Sequence, residues 1–218
     1  MPAKKAQATQ GTRRGPTTPM TMTRAANQRA DAQRNRAKIL AGAITATRKN
    51  PDASVADIAA EAGVGRMTLY GHFQKRAELI DAALADSLEQ AEEVLSAVPL
   101  DGDPVEAFQR LITSSWPLLD QSRALLAAAQ KELPAARIRE MHEKAEARMR
   151  GLLERGQDEG AFRADLPVSW LLTTAHVVMN GAAEEVRTGR LDADDAPRFI
   201  NSILLSAFTN ATWPGRAQ

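Results

Sequence analysis

The chain of 218 residues contains no cysteine, which excludes disulfide bonds and thiolate chemistry and fits a reducing compartment. Phe, Trp and Tyr make up only 4% of the residues, so the core must be built from Leu, Ile, Val, Ala and Met. No apolar run has the length of a membrane span, and the N-terminus lacks the continuous apolar stretch of a signal peptide. We therefore expect a cytoplasmic protein without a membrane partner.

Motifs of the common enzyme classes are also missing. The three histidines, His72, His142 and His176, lie far apart along the chain. There is no HExxH, GxSxG or phosphate-loop lysine motif, and His142 beside Glu143 is too weak a signal for a metal site. We expect no enzymatic activity, no metal and no cofactor.

Charge is distributed unevenly along a chain whose net charge is only +1. Residues 1–76 contain fourteen basic and four acidic residues, a net charge of +10. Residues 77–218 contain fourteen basic and 23 acidic residues, a net charge of −9. This asymmetry indicates that the first third binds a polyanion such as nucleic acid. The alternative is a basic tail that only improves solubility.

The pattern of apolar residues predicts an all-α protein. Residues 1–28 are poor in large aliphatic side chains and predict a disordered basic arm. Helical periodicity starts at Asp31 and breaks at Asn50-Pro51-Asp52. A long helix is predicted at about 76–98, and further helices at about 104–120, 122–132, 134–157, 167–188 and 194–212. No alternating strand pattern is present.

Two short helices joined by the sequence AGVG have the form of a helix-turn-helix. Ser54 and Asp57 are spaced as a capping box that begins the first helix. Gly63 suits the left-handed position that ends this helix. The second helix, from about Gly65 to Gly71, would then present its outer face to the major groove of DNA.

The residues TLYGHF, followed by KRAELIDAAL, resemble the TetR family of transcriptional regulators over about residues 34–82. The resemblance implies a three-helix DNA-binding domain at 29–78 after the arm at 1–28. It also implies a helical domain at 79–218 for ligand sensing and dimerisation. Beyond residue 82, the resemblance rests on size and on the number and order of helices.

The same resemblance implies a set of DNA contacts: Ser54, Arg66, Met67, Thr68, Tyr70, His72, Lys75 and Arg76. Arg66 is the best candidate for a base contact, because a guanidinium can donate two hydrogen bonds to guanine. Other readings stay open, since Tyr70 could belong to the core, His72 could serve packing and Met67 could touch nothing. Two residues depart from the family pattern, because Gly65 replaces a capping Ser or Thr and Gly71 replaces a larger side chain.

The basic arm offers a further DNA contact. Arg24 and Arg29, or Arg13 and Arg14, could reach the minor groove or nearby phosphates. The alternative is a solvated tail with only nonspecific attraction to DNA.

The last two predicted helices, 167–188 and 194–212, have apolar residues on more than one face. A helix that is apolar on two sides needs two partners, so we expect these helices to form a two-fold homodimer interface. The alternative is a purely intramolecular core.

The family also implies a ligand pocket among the middle helices. Its candidate lining residues are Trp116, Met141, His142, Trp170, His176, Met179 and Asn180. Met and Trp at helical spacing could equally be core. Pro117 should bend or restart its helix.

Together these features predict a repressor that binds a palindromic operator as a dimer and is released by a small molecule. The alternative function is a DNA-binding protein of low sequence specificity, dominated by its basic arm and without a ligand.

Overall fold

The computed structural model describes residues 24–210, except the side chain of Ala25, and this part of the chain is built of eight α-helices. In chain order they are α1 (Arg24–Lys49), α2 (Val55–Glu61), α3 (Arg66–His72), α4 (Arg76–Ser96), α5 (Pro104–Glu132), α6 (Ala135–Asp158), α7 (Val168–Arg187) and α8 (Ala196–Phe208). Extended pairing within residues 24–210 amounts to one bridge between Phe162 and Thr209. The predicted all-α class is thus confirmed.

Contacts divide the chain into two units between Arg34 and Asn35. In the first unit, α1 begins at Arg24, earlier than the predicted start at Asp31. Residues 24–28 are therefore helical rather than disordered, because Ala, Gln and Arg extend an existing helix at little cost. The rest of the predicted arm, with Arg13 and Arg14, lies outside the described residues.

Helices α1, α2, α3 and α4 pack around the first apolar cluster, which lies in the second unit. Its largest fully buried side chains include Ile39, Leu40, Ile58, Leu69 and Leu79. α1 and α2 cross so closely that a Cβ on Gly42 would lie 2.6 Å from the Cβ of Ala62. The cluster also takes in Leu125, Ala128 and Ala129 from the second half of α5, so helices α1–α4 share their core with that helix.

The second apolar cluster lies between α5, α6, α7 and α8. Three phenylalanine rings meet at its centre, where the ring of Phe108 lies 5.8 Å from that of Phe162 and 5.7 Å from that of Phe208. Glycine is required at 156, because a Cβ there would lie 2.1 Å from the ring of Phe162. This cluster is the structural core of the predicted sensing domain.

α5 runs without interruption through Pro117, whereas the sequence predicted two helices, 104–120 and 122–132. Proline in a helix interior removes one backbone hydrogen bond. The loss is offset because α5 is anchored on both sides of the proline. Ile112 and Trp116 pack in the second cluster, and Leu125 and Ala128 pack in the first.

Within the described residues, no helix combines the length and the apolarity that a membrane crossing requires.

Candidate nucleic-acid interface

α2 begins with the predicted capping box. The backbone N–H of Asp57 donates to the Ser54 hydroxyl at 3.2 Å, and the backbone N–H of Ser54 donates to the Asp57 carboxylate at 2.8 Å. The Ser54 hydroxyl also donates to this carboxylate, at 2.7 Å. These bonds, with a smaller contribution from the charge of Arg66, hold the pKa of Asp57 below its ordinary value. Ser54 is thus committed to the helix cap, and its phosphate contact stays a prediction.

The turn between α2 and α3 follows the predicted glycine pattern. Gly63 has a φ of +63°, in the left-handed region that favours glycine. The N–H of Val64 donates to the carbonyl of Ala59 at 3.0 Å, which closes the hydrogen-bonded loop typical of a glycine-terminated helix. The chain therefore changes direction within residues 62–65, so that α3 packs against α2.

α3 divides its seven residues between core and solvent. Leu69 is 1% exposed and belongs to the first apolar cluster, which Phe73 joins just beyond the helix. On the opposite side, Met67 is 83% exposed and Tyr70 is 47% exposed. Arg66 and Thr68 are exposed as well. Four of the predicted DNA contacts thus share one solvent-facing surface, and Tyr70 lies outside the buried core.

The C-terminal end of α3 carries a second group of basic residues. Lys75 is exposed and His72 is half-buried, with its ring centroid 6.5 Å from that of Phe73. The guanidinium carbon of Arg36, on α1, lies 5.5 Å from the centroid of the Phe73 ring. Arg36 is exposed and was not among the predicted contacts, because its approach to α3 depends on the packing of α1. It adds a cation to this end of the surface.

Arg76, which was predicted to contact phosphate, is held by contacts within the protein. Its Nε donates to the carbonyl of Ala53 at 2.9 Å, and its Nη2 donates to the carbonyl of Pro51 at 2.9 Å. Its Nη1 forms an ion pair with Glu132, the last residue of α5. All three guanidinium nitrogens are therefore engaged within the protein. Sequence reasoning missed these contacts, since the sequence gives no sign that Glu132 lies beside the start of α4, and the phosphate contact of Arg76 stays a prediction.

A second ion pair lies close to Arg76. Nζ of Lys131 lies 2.6 Å from the carboxylate of Asp52, a residue 79 positions earlier in the sequence. The hydrogen bond and charge of Lys131 lower the pKa of Asp52. Lys131, Glu132 and the loop at 51–53 were missed by sequence reasoning, because no local pattern marks a contact over such a separation.

α7 and α8 expose apolar side chains to solvent. Val177 is 66% exposed and Ile203 is 59% exposed, and Trp170 and Phe199 are exposed as well. Their inner faces supply Leu171, Ala175 and Ile200 to the second cluster. Both helices are therefore apolar on two sides, which is the pattern predicted for an interface between subunits.

Most of the predicted ligand residues are divided between the two apolar clusters and the exposed surface of α7, and the role of the whole set stays a prediction. Trp116 and Met179 are buried in the second cluster, and the indole N–H of Trp116 donates to the carbonyl of Ala193 at 3.0 Å. Met141 packs against the first cluster instead. Trp170, His176 and Asn180 are exposed on α7. Helix phase explains why Met179 is buried and its neighbours on α7 are exposed, because residues a few positions apart can lie on the inner or the outer face of one helix.

His142 and His176 come near each other. Nδ1 of His142 lies 2.8 Å from the carbonyl oxygen of Ile138. Partial burial of the His176 ring lowers its pKa, Glu146 acts in the opposite direction, and His142 lowers it further. Although His176 is exposed as a residue, its ring is thus close enough to α6 to be affected by two of its side chains.

An open groove of about 500 Å³ follows α6. Its described lining residues are Ala136, Arg139, Glu140, Glu143, Glu146, Ala147 and Arg150. None of the seven predicted ligand residues belongs to this described lining. The described residues also contain no group of three or more His, Cys, Asp or Glu side chains arranged to hold a metal ion.

Comparison with known proteins identifies the N-terminal helices. Residues 39–83 match the family model described as bacterial regulatory proteins, tetR family. Over 123 residues, the chain is 27% identical to the HTH-type transcriptional repressor KstR2 of Rhodococcus jostii strain RHA1. That alignment covers 53% of this chain and 60% of the repressor, so the chain spans less than two thirds of this relative's length.

Solved structures extend the similarity to both helical domains. The TetR-like transcriptional regulator LfrR from Mycobacterium smegmatis, in complex with proflavine, aligns with a TM-score of 0.68 and 20% identity. The alignment covers 83% of this chain and 99% of LfrR. The fatty acid degradation regulator FadR from Bacillus halodurans aligns with a TM-score of 0.66 and 18% identity, over 78% of this chain and 94% of FadR. At these identities, the matches establish a shared fold.

Proposed function

Because the chain belongs to the TetR family of bacterial regulatory proteins, we propose that it is a transcriptional repressor that binds a palindromic operator as a homodimer. One observation carries the proposal: α3 buries Leu69 and presents Arg66, Met67, Thr68 and Tyr70 together to solvent. A short helix anchored on one side and polar on the other is the form in which a helix-turn-helix enters the major groove.

The exposed side chains of α3 suit different parts of DNA. The Arg66 guanidinium can donate two hydrogen bonds to the edge of guanine, and the apolar end of Met67 can contact a thymine methyl group. Thr68 and Tyr70 carry hydroxyls that can bind phosphate and fix the register of the helix on the duplex. Lys75 and His72 extend this set at the C-terminal end of α3, and the exposed Arg36 adds to it.

The homodimer is proposed to form through α7 and α8. Their exposed apolar residues would leave water if two copies paired these helices about a two-fold axis. Two α3 helices in one dimer could then read the two halves of a palindrome. Val177 and Ile203, exposed on these two helices, support this arrangement.

A small-molecule effector is proposed by analogy with the relatives. LfrR is seen in complex with proflavine, and its fold aligns with 83% of this chain. An effector would act by binding one arrangement of the domain more tightly than another, and operator affinity would change by that difference. The test is whether any compound in a library changes operator affinity without itself being consumed.

The experiment for DNA recognition begins with selection of bound sequences from a random duplex pool. We expect a palindromic winner that binds at least about a thousandfold more tightly than unrelated DNA. Arg66→Ala should weaken binding to the winner by about 1–3 kcal/mol and relax specificity at one position of each half-site. Arg139→Ala, which removes an exposed arginine from α6, serves as the matched control and should leave specificity intact.

A second outcome would favour the alternative function. If no sequence is enriched and binding varies only with ionic strength, the chain is a DNA-binding protein of low specificity. The net charge of +10 over residues 1–76 is the observation that supports this alternative.

A further inference from the structure

Arg76 lies where the DNA-binding helices meet the end of α5, and it contacts both. It is the first residue of α4, its carbonyl partners belong to the loop before α2, and its carboxylate partner closes α5. We propose that Arg76 and Glu132, together with the carbonyls of Pro51 and Ala53, form a clamp that sets the position of α2 and α3 for operator binding. The inference rests on the proposed function and assigns Arg76 a positioning role instead of a phosphate contact.

The chemistry of the clamp suits a fixed geometry. The Arg76 side chain is 23% exposed and that of Glu132 is 21% exposed, so their ion pair is largely shielded from water. Hydrogen bonds to a charged group are stronger than those between neutral groups, and a planar guanidinium holds several acceptors in one plane. Lysine cannot reproduce three simultaneous contacts of this kind.

The loop held by the clamp leads directly into the DNA-binding helices. Ala53 precedes Ser54, the cap of α2, and α2 continues through the tight turn at Gly63 into α3. A fixed Ala53 carbonyl therefore fixes the start of a short, rigid pair of helices. The neighbouring pair of Asp52 and Lys131 joins the same loop to α5, but both side chains are exposed, so its contribution is small.

The other end of the clamp is connected to the proposed dimer helices through α5. Arg123 of α5 donates to the carbonyl of Ala183 in α7 at 2.7 Å, and it also pairs with Glu184. Trp116 donates to the carbonyl of Ala193, in the segment before α8. The same continuous helix thus contacts α7 and the α7–α8 connection, and its Glu132 pairs with Arg76, which in turn bonds the loop before α2.

The experiment compares Arg76→Lys and Glu132→Ala, because the two possible roles of Arg76 predict opposite results. A clamp predicts that each change weakens operator binding about tenfold, since each removes part of the arrangement that positions α2. It also predicts that the double variant is no weaker than the worse single variant, and that the salt dependence of binding is unchanged. A phosphate contact predicts that Arg76→Lys is tolerated.

Glu132→Ala is the variant for which the clamp and electrostatics alone predict opposite changes in DNA affinity. Removing an acidic residue makes the chain more positive, so electrostatics alone predicts tighter binding to DNA. Weaker operator binding with unchanged affinity for unrelated duplex would support the clamp. The matched control is Glu154→Ala, which removes an exposed acid from α6 and should not weaken binding. Tighter or unchanged binding by Glu132→Ala, together with normal binding by Arg76→Lys, would overturn the inference.

Amide hydrogen exchange separates failure of the clamp from failure of the proposed function. In the DNA-free protein, Glu132→Ala should increase exchange in residues 54–62 and leave residues 171–183 as in the unaltered chain. If the unaltered chain selects no operator but this local increase is seen, the clamp stands and the proposed function is wrong. If exchange in residues 54–62 is unchanged, the clamp is wrong whatever the chain binds.

Discussion

Among single residues, two glycines in the DNA-binding helices face opposite constraints. A Cβ on Gly42 would lie within 2.8 Å of the backbone of Ala62, which cannot move aside as a flexible side chain would. A Cβ on Gly71 would meet nothing within 4 Å. Gly42 therefore serves the crossing of α1 and α2, whereas Gly71 leaves open space on the exposed side of α3.

We therefore predict that alanine at these two positions changes the free energy of unfolding in opposite directions. We expect Gly42→Ala to lower the free energy of unfolding by about 1–3 kcal/mol, because it overpacks a helix crossing. Gly71→Ala should raise it by about 0.5 kcal/mol, since alanine favours the helix. Chemical denaturation of both variants gives the measurement. Equal effects of the two changes would contradict the close approach at Gly42.

The cap of α2 predicts a pH-dependent contribution to stability. The pKa of Asp57 is lower in the folded chain than its ordinary value of 3.8, so its stabilising effect is complete above 3.8. The effect is lost as the pH falls through the lowered pKa. The stability difference between the unaltered chain and Ser54→Ala should therefore be constant near neutral pH and shrink in acid.

The expected stability difference between the unaltered chain and Ser54→Ala follows from the free energy that a helix cap typically contributes. Ser54→Ala should lower the free energy of unfolding by about 1 kcal/mol at neutral pH. Ser96→Ala is the matched control, since Ser96 is an exposed serine at the last turn of α4 and caps no helix start. A difference that grows in acid would contradict the assigned role of the cap.

Among the helices, α7 and α8 carry the prediction that matters most for assembly. Ile203→Asp places a charge in the centre of the exposed apolar face, where dimer formation would bury it without a partner. We expect this variant to sediment as a monomer and to lose operator binding, because one α3 reads only half a palindrome.

Val94→Asp provides the matched control for this change. Val94 is 51% exposed on α4, so it offers comparable apolar exposure away from α7 and α8. The variant should keep the mass of the unaltered chain in analytical ultracentrifugation. If both variants dimerise normally, α7 and α8 do not form the interface.

Sequence reasoning located helices better than it located their contacts. The Ser54–Asp57 cap and the Gly63 turn were predictable because each depends on neighbouring residues and on local hydrogen bonds. The predicted division of α5 into two helices was wrong, because local patterns omit the two apolar clusters that anchor α5. The internal contacts of Arg76 were missed because its partner Glu132 is brought beside it only by tertiary packing.

The placement of the predicted ligand residues shows the same limit, and their ligand role stays a prediction. Met and Trp positions could be recognised as buried or amphipathic, but the phase of each helix decides which side chains meet. Trp116 and Met179 turned inwards, whereas Trp170 and Asn180 turned outwards on the face proposed for dimerisation. Residue type alone could not separate these two groups.

In the molecule as a whole, α5 contributes buried residues to both apolar clusters. The half before Pro117 packs with α6, α7 and α8, and the half after it completes the core of the DNA-binding helices. Because this core is shared, neither set of helices can be removed without exposing apolar surface of the other. The DNA-binding helices should therefore unfold together with α5 rather than as an independent domain.

The contrast between two tryptophans gives the chain an optical reporter of its own. The Trp116 indole is buried and bonded to the carbonyl of Ala193, whereas Trp170 is 57% exposed on α7. Fluorescence from Trp170 would respond to water and to a dissolved quencher, and pairing of α7 and α8 between subunits would shift its emission to shorter wavelengths. In a Trp213→Phe variant, which keeps only these two tryptophans, fluorescence from Trp116 would change only when the second cluster opens, and a quencher that reaches Trp170 would separate association from unfolding.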